Sequence, residues 1–138
     1  MTRYLLDTNH ASPLVTIGHP LRERVLRALD TNHSFALTAV NLTETVFGIS
    51  TTPRATQNMR QWEQWRGSFD VYRIEDEDAM RAARLQFSLR RRGWQLGTVD
   101  ALIAAIALRY DLTLLTTDGD FNAVPDLKHE NWLNTPAA

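Results

Sequence analysis

The stretch TVDALIAAIALRYDLTLLTTDGD, residues 98–120, changes its apolar pattern halfway along. From Ala101 to Leu108 nearly every residue is apolar, too continuous a run for a helix with one wet face, so it predicts a helix buried on most sides. LTLLTT (112–117) follows as a fully apolar strand that ends on Asp118, Gly119 and Asp120. A buried helix feeding a buried strand is one half of a parallel crossover, which places the chain in the α/β class.

The rest of the chain repeats this alternation. RYLL (3–6) reads as a first strand that breaks off into Asp7-Thr8-Asn9. HPLRERVLRALDTN then sets Leu21, Val25, Ala28 and Leu29 on one helical face, with Pro20 suited to a first helical position. SFALTAV (34–40) is a second strand, and a helix capped by Asn41 continues it with Leu42, Val46, Phe47 and Ile49. Met59, Trp62, Trp65 and Phe69 recur at helical spacing as core or packing surface. DVYRI (70–74) is a third strand. EDEDAMRAARLQFSLRRRG is a helix with acids in its first turn and arginines in its last, the order a helix dipole favours. KHENWL supplies a short fifth strand. The expected architecture is a three-layer α/β/α sandwich around a central, mostly parallel sheet of four to five strands, one domain over 1–138.

Composition agrees with a folded globular chain. A 138-residue domain removes roughly two-thirds of its unfolded surface from water. Hydrophobic residues make up 43% and charged residues 22%, with a net charge of -1, so a disordered chain is excluded and no basic excess advertises nucleic acid. Cysteine is absent, which excludes disulfides, thiolate metal sites and cysteine nucleophiles. No apolar run approaches the ~20 residues of a membrane span, and MTRYLLDTNHASP is too short in apolar residues for a secretory signal, so a cytoplasmic protein is expected.

A parallel sheet gathers the residues that follow its strands at one crevice. Asp7 follows the first strand, Glu44 lies one helical turn past the second, and Asp118 and Asp120 follow the fourth. Asp100 joins them if the buried helix starts at that crevice. Each acid has a structural role open to it: Asp7 as an Asx-turn or helix cap, Glu44 as the partner of Asn41 in a capping box, Asp100 beside a helix N-terminus, Asp118 and Asp120 in a turn. Separate caps need not converge, whereas a metal site requires convergence. Carboxylates without Lys or Arg partners raise one another's pKa and destabilise the fold. A hard divalent cation, Mg²⁺ or Mn²⁺, removes that cost, usually together with waters and a substrate phosphate.

LLDTN (5–9), NLTETVFG (41–48), GTVDALIAAIAL (97–108) and LTLLTTDGDF (112–121) reproduce in order the motif series of PIN-domain proteins. Among these the chain resembles the VapC-type ribonuclease toxins of bacterial toxin–antitoxin pairs. The resemblance implies an α/β/α fold that binds Mg²⁺ or Mn²⁺ and cuts RNA phosphodiesters. It implies an acidic quartet of Asp7, Glu44, Asp100 and Asp118, supported by Thr116 before the last acid and by Asn9. Whether Asp118 or Asp120 is the ligand stays open, and Asn41 stands where Thr or Ser is common. It also implies a homodimer and an antitoxin partner, with the apolar faces around Trp62 and Trp65 offered for either contact.

Metal-assisted hydrolysis needs no protein nucleophile. Arg90, Arg91 and Arg92, just ahead of the GWQLG loop that feeds Asp100, are the best-placed residues for substrate phosphate, with Arg54 and Arg60 behind them; Trp94 is expected to pack under that loop, with stacking on a base as its other reading. Arginines closing a helix also satisfy its dipole. His10, His19, His33 and His129 lack paired metal spacing and are read as surface or local hydrogen-bonding residues, with His10 nearest Asp7. A receiver-like aspartyl-phosphate domain is the alternative enzyme class, but its site wants a lysine and the only one is Lys128. A binding-only domain whose acids cap helices is the third reading.

Overall fold

The computed structural model describes residues 1–133; residues 134–138 of the expected single domain lie outside the described residues. Period-two alternation along the strands sets its layers. In β1 (Arg3–Leu6), Tyr4 and Leu6 join one core while Leu5 joins another. In β2 (Ser34–Thr38), Phe35 and Leu37 face with the first set and Ala36 with the second. β3 (Phe69–Tyr72) and β4 (Thr113–Leu115) obey the same rule: Phe69 and Leu115 are in the first core, Leu114 in the second. A two-residue β5 (His129–Glu130) closes one edge. All pairings are parallel, in the order β3-β2-β1-β4-β5.

On the first face lie α1 (Thr8–Ala11), a 3₁₀ turn (Ser12–Val15), α2 (Pro20–Asp30), α3 (Ala39–Ser50) and α4 (Ala55–Arg66). The second face is covered by α5 (Asp76–Arg91) and α6 (Thr98–Arg109). Ala101 and the run Ile103–Ala107 are buried, and the alanines among them let α6 lie close to both α5 and the sheet. Arg109 ties the two helices together by reaching Asp78 at 3.0 Å and Glu77 at 2.6 Å. Among the described residues no helix is long and apolar enough to cross a membrane.

Several boundaries differ from the sequence reading. The second strand stops at Thr38 because that residue's hydroxyl accepts the Asn41 amide and caps α3; Asn41 is thus the third helical residue, not the cap. β4 is shorter than 112–117, since Thr116 leaves the strand to hydrogen-bond at its end. β3 runs over 69–72 rather than 70–74. The DTN turn begins a short helix. Trp62 and Trp65 are 3% and 6% exposed, stacked into the first core around Phe69, so they offer no face for a partner.

Candidate active site

The chain leaves β1 for β2 and β3 on one side and returns to β4 and β5 on the other, so the topological switch point lies between β1 and β4. Ligand sites of open parallel sheets lie in the crevice outside the carboxyl ends of such strands. Asp7 leaves β1 there, its amide donating to the Leu115 carbonyl of β4 at 3.0 Å. Thr116, Asp118 and Asp120 leave β4 there. α6 precedes β4 in a parallel crossover and therefore runs back along the sheet, which brings Asp100 in its first turn to the same edge.

The carboxylates of Asp100, Asp118 and Asp120 offer oxygens that all lie within 4.8 Å of one another. Burial, followed by the charges of Asp118, Asp7, Asp120 and Glu44, raises the Asp100 carboxyl to about 6. Three of the five predicted acids thus converge, while Asp7 and Glu44 lie outside that group of three and act on Asp100 through their charge. Among the described residues none of them has a cationic partner, because the ion pairs belong to Arg109 and Lys128. Three converging oxygen donors with uncompensated charge fit a small hard cation, whose oxygen ligands stand about 2.0–2.1 Å from it.

Asp7 is only 8% exposed and its carboxylate is fixed on every side. Oδ1 accepts the Thr8 amide at 2.8 Å and the Asn41 side-chain amide at 3.3 Å. Oδ2 accepts the Thr116 hydroxyl at 2.7 Å and the Asn9 side-chain amide at 3.3 Å. A cap role and a site role therefore coincide in Asp7. Asp118 shows the same overlap, since its Oδ1 accepts the Asp120 amide at 2.9 Å. Glu44 is exposed at the rim and accepts the Thr8 hydroxyl at 3.0 Å. It does not complete a capping box, because Thr38 and Asn41 already form one.

Asn41 and His10 are the supporting residues that sequence reading undervalued. Asn41 is wholly buried, and capping α3 is what aims its amide at Asp7. His10 is also 0% exposed. Its Nε2 accepts the Trp132 amide at 3.0 Å, so the ring proton is on Nδ1 and goes to Asn9 Oδ1 at 2.7 Å. Thr117 donates to the same oxygen at 3.2 Å, which orients the Asn9 amide toward Asp7 and Thr116. His19 is a local hydrogen-bonding residue, as expected, whereas His33 accepts the Thr2 amide and the buried His10 accepts the Trp132 amide, both from distant parts of the chain. The polar run DTNH beside an apolar strand was the available signal.

Burial and then the Arg24 charge push His10 down to about 4, from an ordinary 6.5. The unfolded chain then takes up a proton that the native chain refuses. Stability from His10 is complete above pH 6.5 and is lost as pH falls toward 4, about 3 kcal/mol in all. Relative to His10→Gln, the wild type should therefore lose melting temperature across that window. Parallel pH profiles of the two proteins would contradict this.

Of the three arginines, only Arg90 lines a cleft beside Trp94. Arg91 lies over the Phe87 ring at 5.8 Å and Arg92 donates to the Ala123 carbonyl at 3.4 Å. Arg54 and Arg60 line other clefts; the Arg90 cleft is lined by none of the acids either, and it is tied to them through Trp94, whose indole N–H donates to the Asp120 carbonyl at 3.2 Å.

The family described as PIN domain matches residues 4–127. The chain is 25% identical over 130 residues to "Ribonuclease VapC2" of Rickettsia felis, covering 94% of this chain and 97% of that protein. It is 23% identical over 134 residues to "tRNA(fMet)-specific endonuclease VapC" of Salmonella typhimurium, covering 96% and 99%. The solved structure of VapBC2 from Rickettsia felis, bound to a promoter DNA fragment, has a similar fold, with a TM-score of 0.82 at 24% identity over 95% of this chain and 99% of that one. So does VapBC-5 of Mycobacterium tuberculosis, a member of the VapBC family of toxin-antitoxin systems, with a TM-score of 0.65 at 24% identity, covering 95% and 98%.

Proposed function

The chain belongs to the PIN-domain family, and from that premise we propose that it is a metal-dependent endoribonuclease, the toxin of a toxin–antitoxin pair. The observation that carries this reading is the meeting of Asp100, Asp118 and Asp120 within 4.8 Å at the β1/β4 switch point. The names of the VapC relatives, a ribonuclease and an endonuclease, support RNA hydrolysis. The receiver-like alternative lacks its lysine, since Lys128 is paired with Asp111 at 2.6 Å.

In this reading Asp100, Asp118 and Asp120 would hold Mg²⁺ or Mn²⁺, with the carboxylates of Asp7 and, from the rim, Glu44 adding negative charge beside them. When bound, a divalent cation supplies Lewis-acid polarisation of the phosphodiester and acidifies water. The chain's own residues do the positioning. Thr116 and Asn9 hold Asp7 from one side and Asn41 from the other, so its carboxylate cannot rotate away as the ligand set assembles. Asp118 keeps the following turn folded through Asp120, which fixes the separation of the two acids. The apolar ends of β1 and β4 below the acids keep bulk water from approaching through the sheet.

The test is cleavage of defined RNAs by the purified protein with Mg²⁺, with Mn²⁺ and with EDTA. Cutting only with metal is expected. In parallel, cation at 100 times its dissociation constant should stabilise the fold by about 2.7 kcal/mol. Cutting that survives EDTA would overturn the assignment. For partners, the likeness to a member of the VapBC family of toxin-antitoxin systems supports an antitoxin protein, and a homodimer belongs to the same proposal.

A further inference from the structure

We propose that Trp94 and Arg90 form a base-stacking subsite beside the acids, which holds an unpaired nucleotide next to the scissile phosphate. α5 ends in a left-handed turn: Gly93 takes a φ of +77°, its amide donates to the Arg90 carbonyl at 3.0 Å, and the Trp94 amide donates to the Leu89 carbonyl at 2.9 Å. Only glycine adopts that φ freely, and it is what swings Trp94 toward the crevice. The indole N–H then donates to the backbone carbonyl of Asp120 at 3.2 Å. Both ends of the Trp94 residue are thus fixed, and one of them is fixed to the acid-bearing turn.

The residue is nonetheless 39% exposed. Two clefts of about 350 and about 310 Å³ adjoin it, within the range of small-ligand sites, and both are lined by Arg90, Trp94 and Gln95. Arg90 is exposed and makes no ion pair among the described residues. A flat, pre-oriented π-face with a free guanidinium beside it matches a nucleobase and its phosphate, and stacking tolerates any base. A paired base has both faces covered, so a duplex cannot use the site. The inference rests on the ribonuclease reading for the kind of polymer bound.

Binding of a short labelled single-stranded RNA, measured by anisotropy in an Asp100→Asn background, separates this proposal from catalysis. Abasic positions are moved one at a time along the RNA. One position should weaken binding roughly 5- to 150-fold when Trp94 is present and little when it is Trp94→Ala. Trp94→Phe, which keeps a ring, should restore most of the difference and guards against a folding defect. Equal responses of the Trp94 and Trp94→Ala proteins at every position would overturn the subsite while leaving metal-dependent cutting by the wild type intact. So would a Trp94→Ala protein that binds RNA normally but no longer binds its antitoxin, which would make the cleft a protein-docking surface. Failure of the wild type to cut any RNA would instead strike the ribonuclease reading, and the abasic series would still judge the cleft.

Discussion

Asp100→Asn is expected to make the metal-free protein more stable at pH 7 and at least about 100-fold slower at cutting RNA. The loss of rate follows from removing a central oxygen from the acid cluster, since even groups that merely orient metal ligands are worth 10- to 100-fold. The gain in stability follows from the raised carboxyl of Asp100, at about 6 against an ordinary 3.8. A group whose native pKa is raised binds its proton more tightly when folded. Its repulsion is absent below about pH 4, grows as pH climbs through 6, and is complete at 7. The shift corresponds to roughly 3 kcal/mol, of which solvent screening around a partly exposed cluster leaves about 1–2. In EDTA, thermal melts should therefore place the variant above the wild type at pH 7, with the gap closing toward pH 4. His10 acts in the opposite sense over much of this range, so the comparison must be made between proteins that both retain it. Adding Mg²⁺ should reverse the order, because the wild type gains binding energy that the variant has lost. An Asp100→Asn protein that melts below the wild type in EDTA, or that cuts at the wild-type rate, would remove the basis of the site.

Phe121→Ala should cost about 3–5 kcal/mol of stability, the largest effect expected of any substitution near the site. Phe121 is 0% exposed and belongs to the core that joins Leu114 to the buried face of α6. It is also the central residue of the 3₁₀ turn Gly119–Ala123, so its ring anchors the segment that presents Asp118 and Asp120. Truncation opens a cavity and releases that turn together. Phe121→Leu, closer in volume, should lose less than about 1.5 kcal/mol and keep most of the activity. Urea unfolding midpoints test the first part. The second is tested by cleavage assays at a temperature where both variants remain folded: a Phe121→Ala protein that cuts as fast as Phe121→Leu would show that the turn holds its shape without the ring.

The sequence by itself determined the class of fold and the placing of the candidate acids at the ends of strands and helices; which of their oxygens converge, those of Asp100, Asp118 and Asp120, it did not. Apolar runs such as Ala101–Leu108 and 112–115 leave no wet face, so they must be covered, and strands alternating with helices leave parallel crossovers as the natural solution. Asp7, Asp100 and Asp118 lie where those elements end, which a one-dimensional reading can see. What only the tertiary structure decided are the contacts that hold the cluster in shape. Asn41 reaches Asp7 across 34 residues, Thr116 across 109, and His10 meets the Trp132 amide across 122. Those separations are invisible to local propensity, because they depend on β1 lying between β2 and β4. The same limit explains Trp62 and Trp65, whose helical spacing is equally consistent with a core face or a partner face until Phe69 is seen to pack against both. Periodicity fixes which side of an element is apolar; strand order fixes what that side meets.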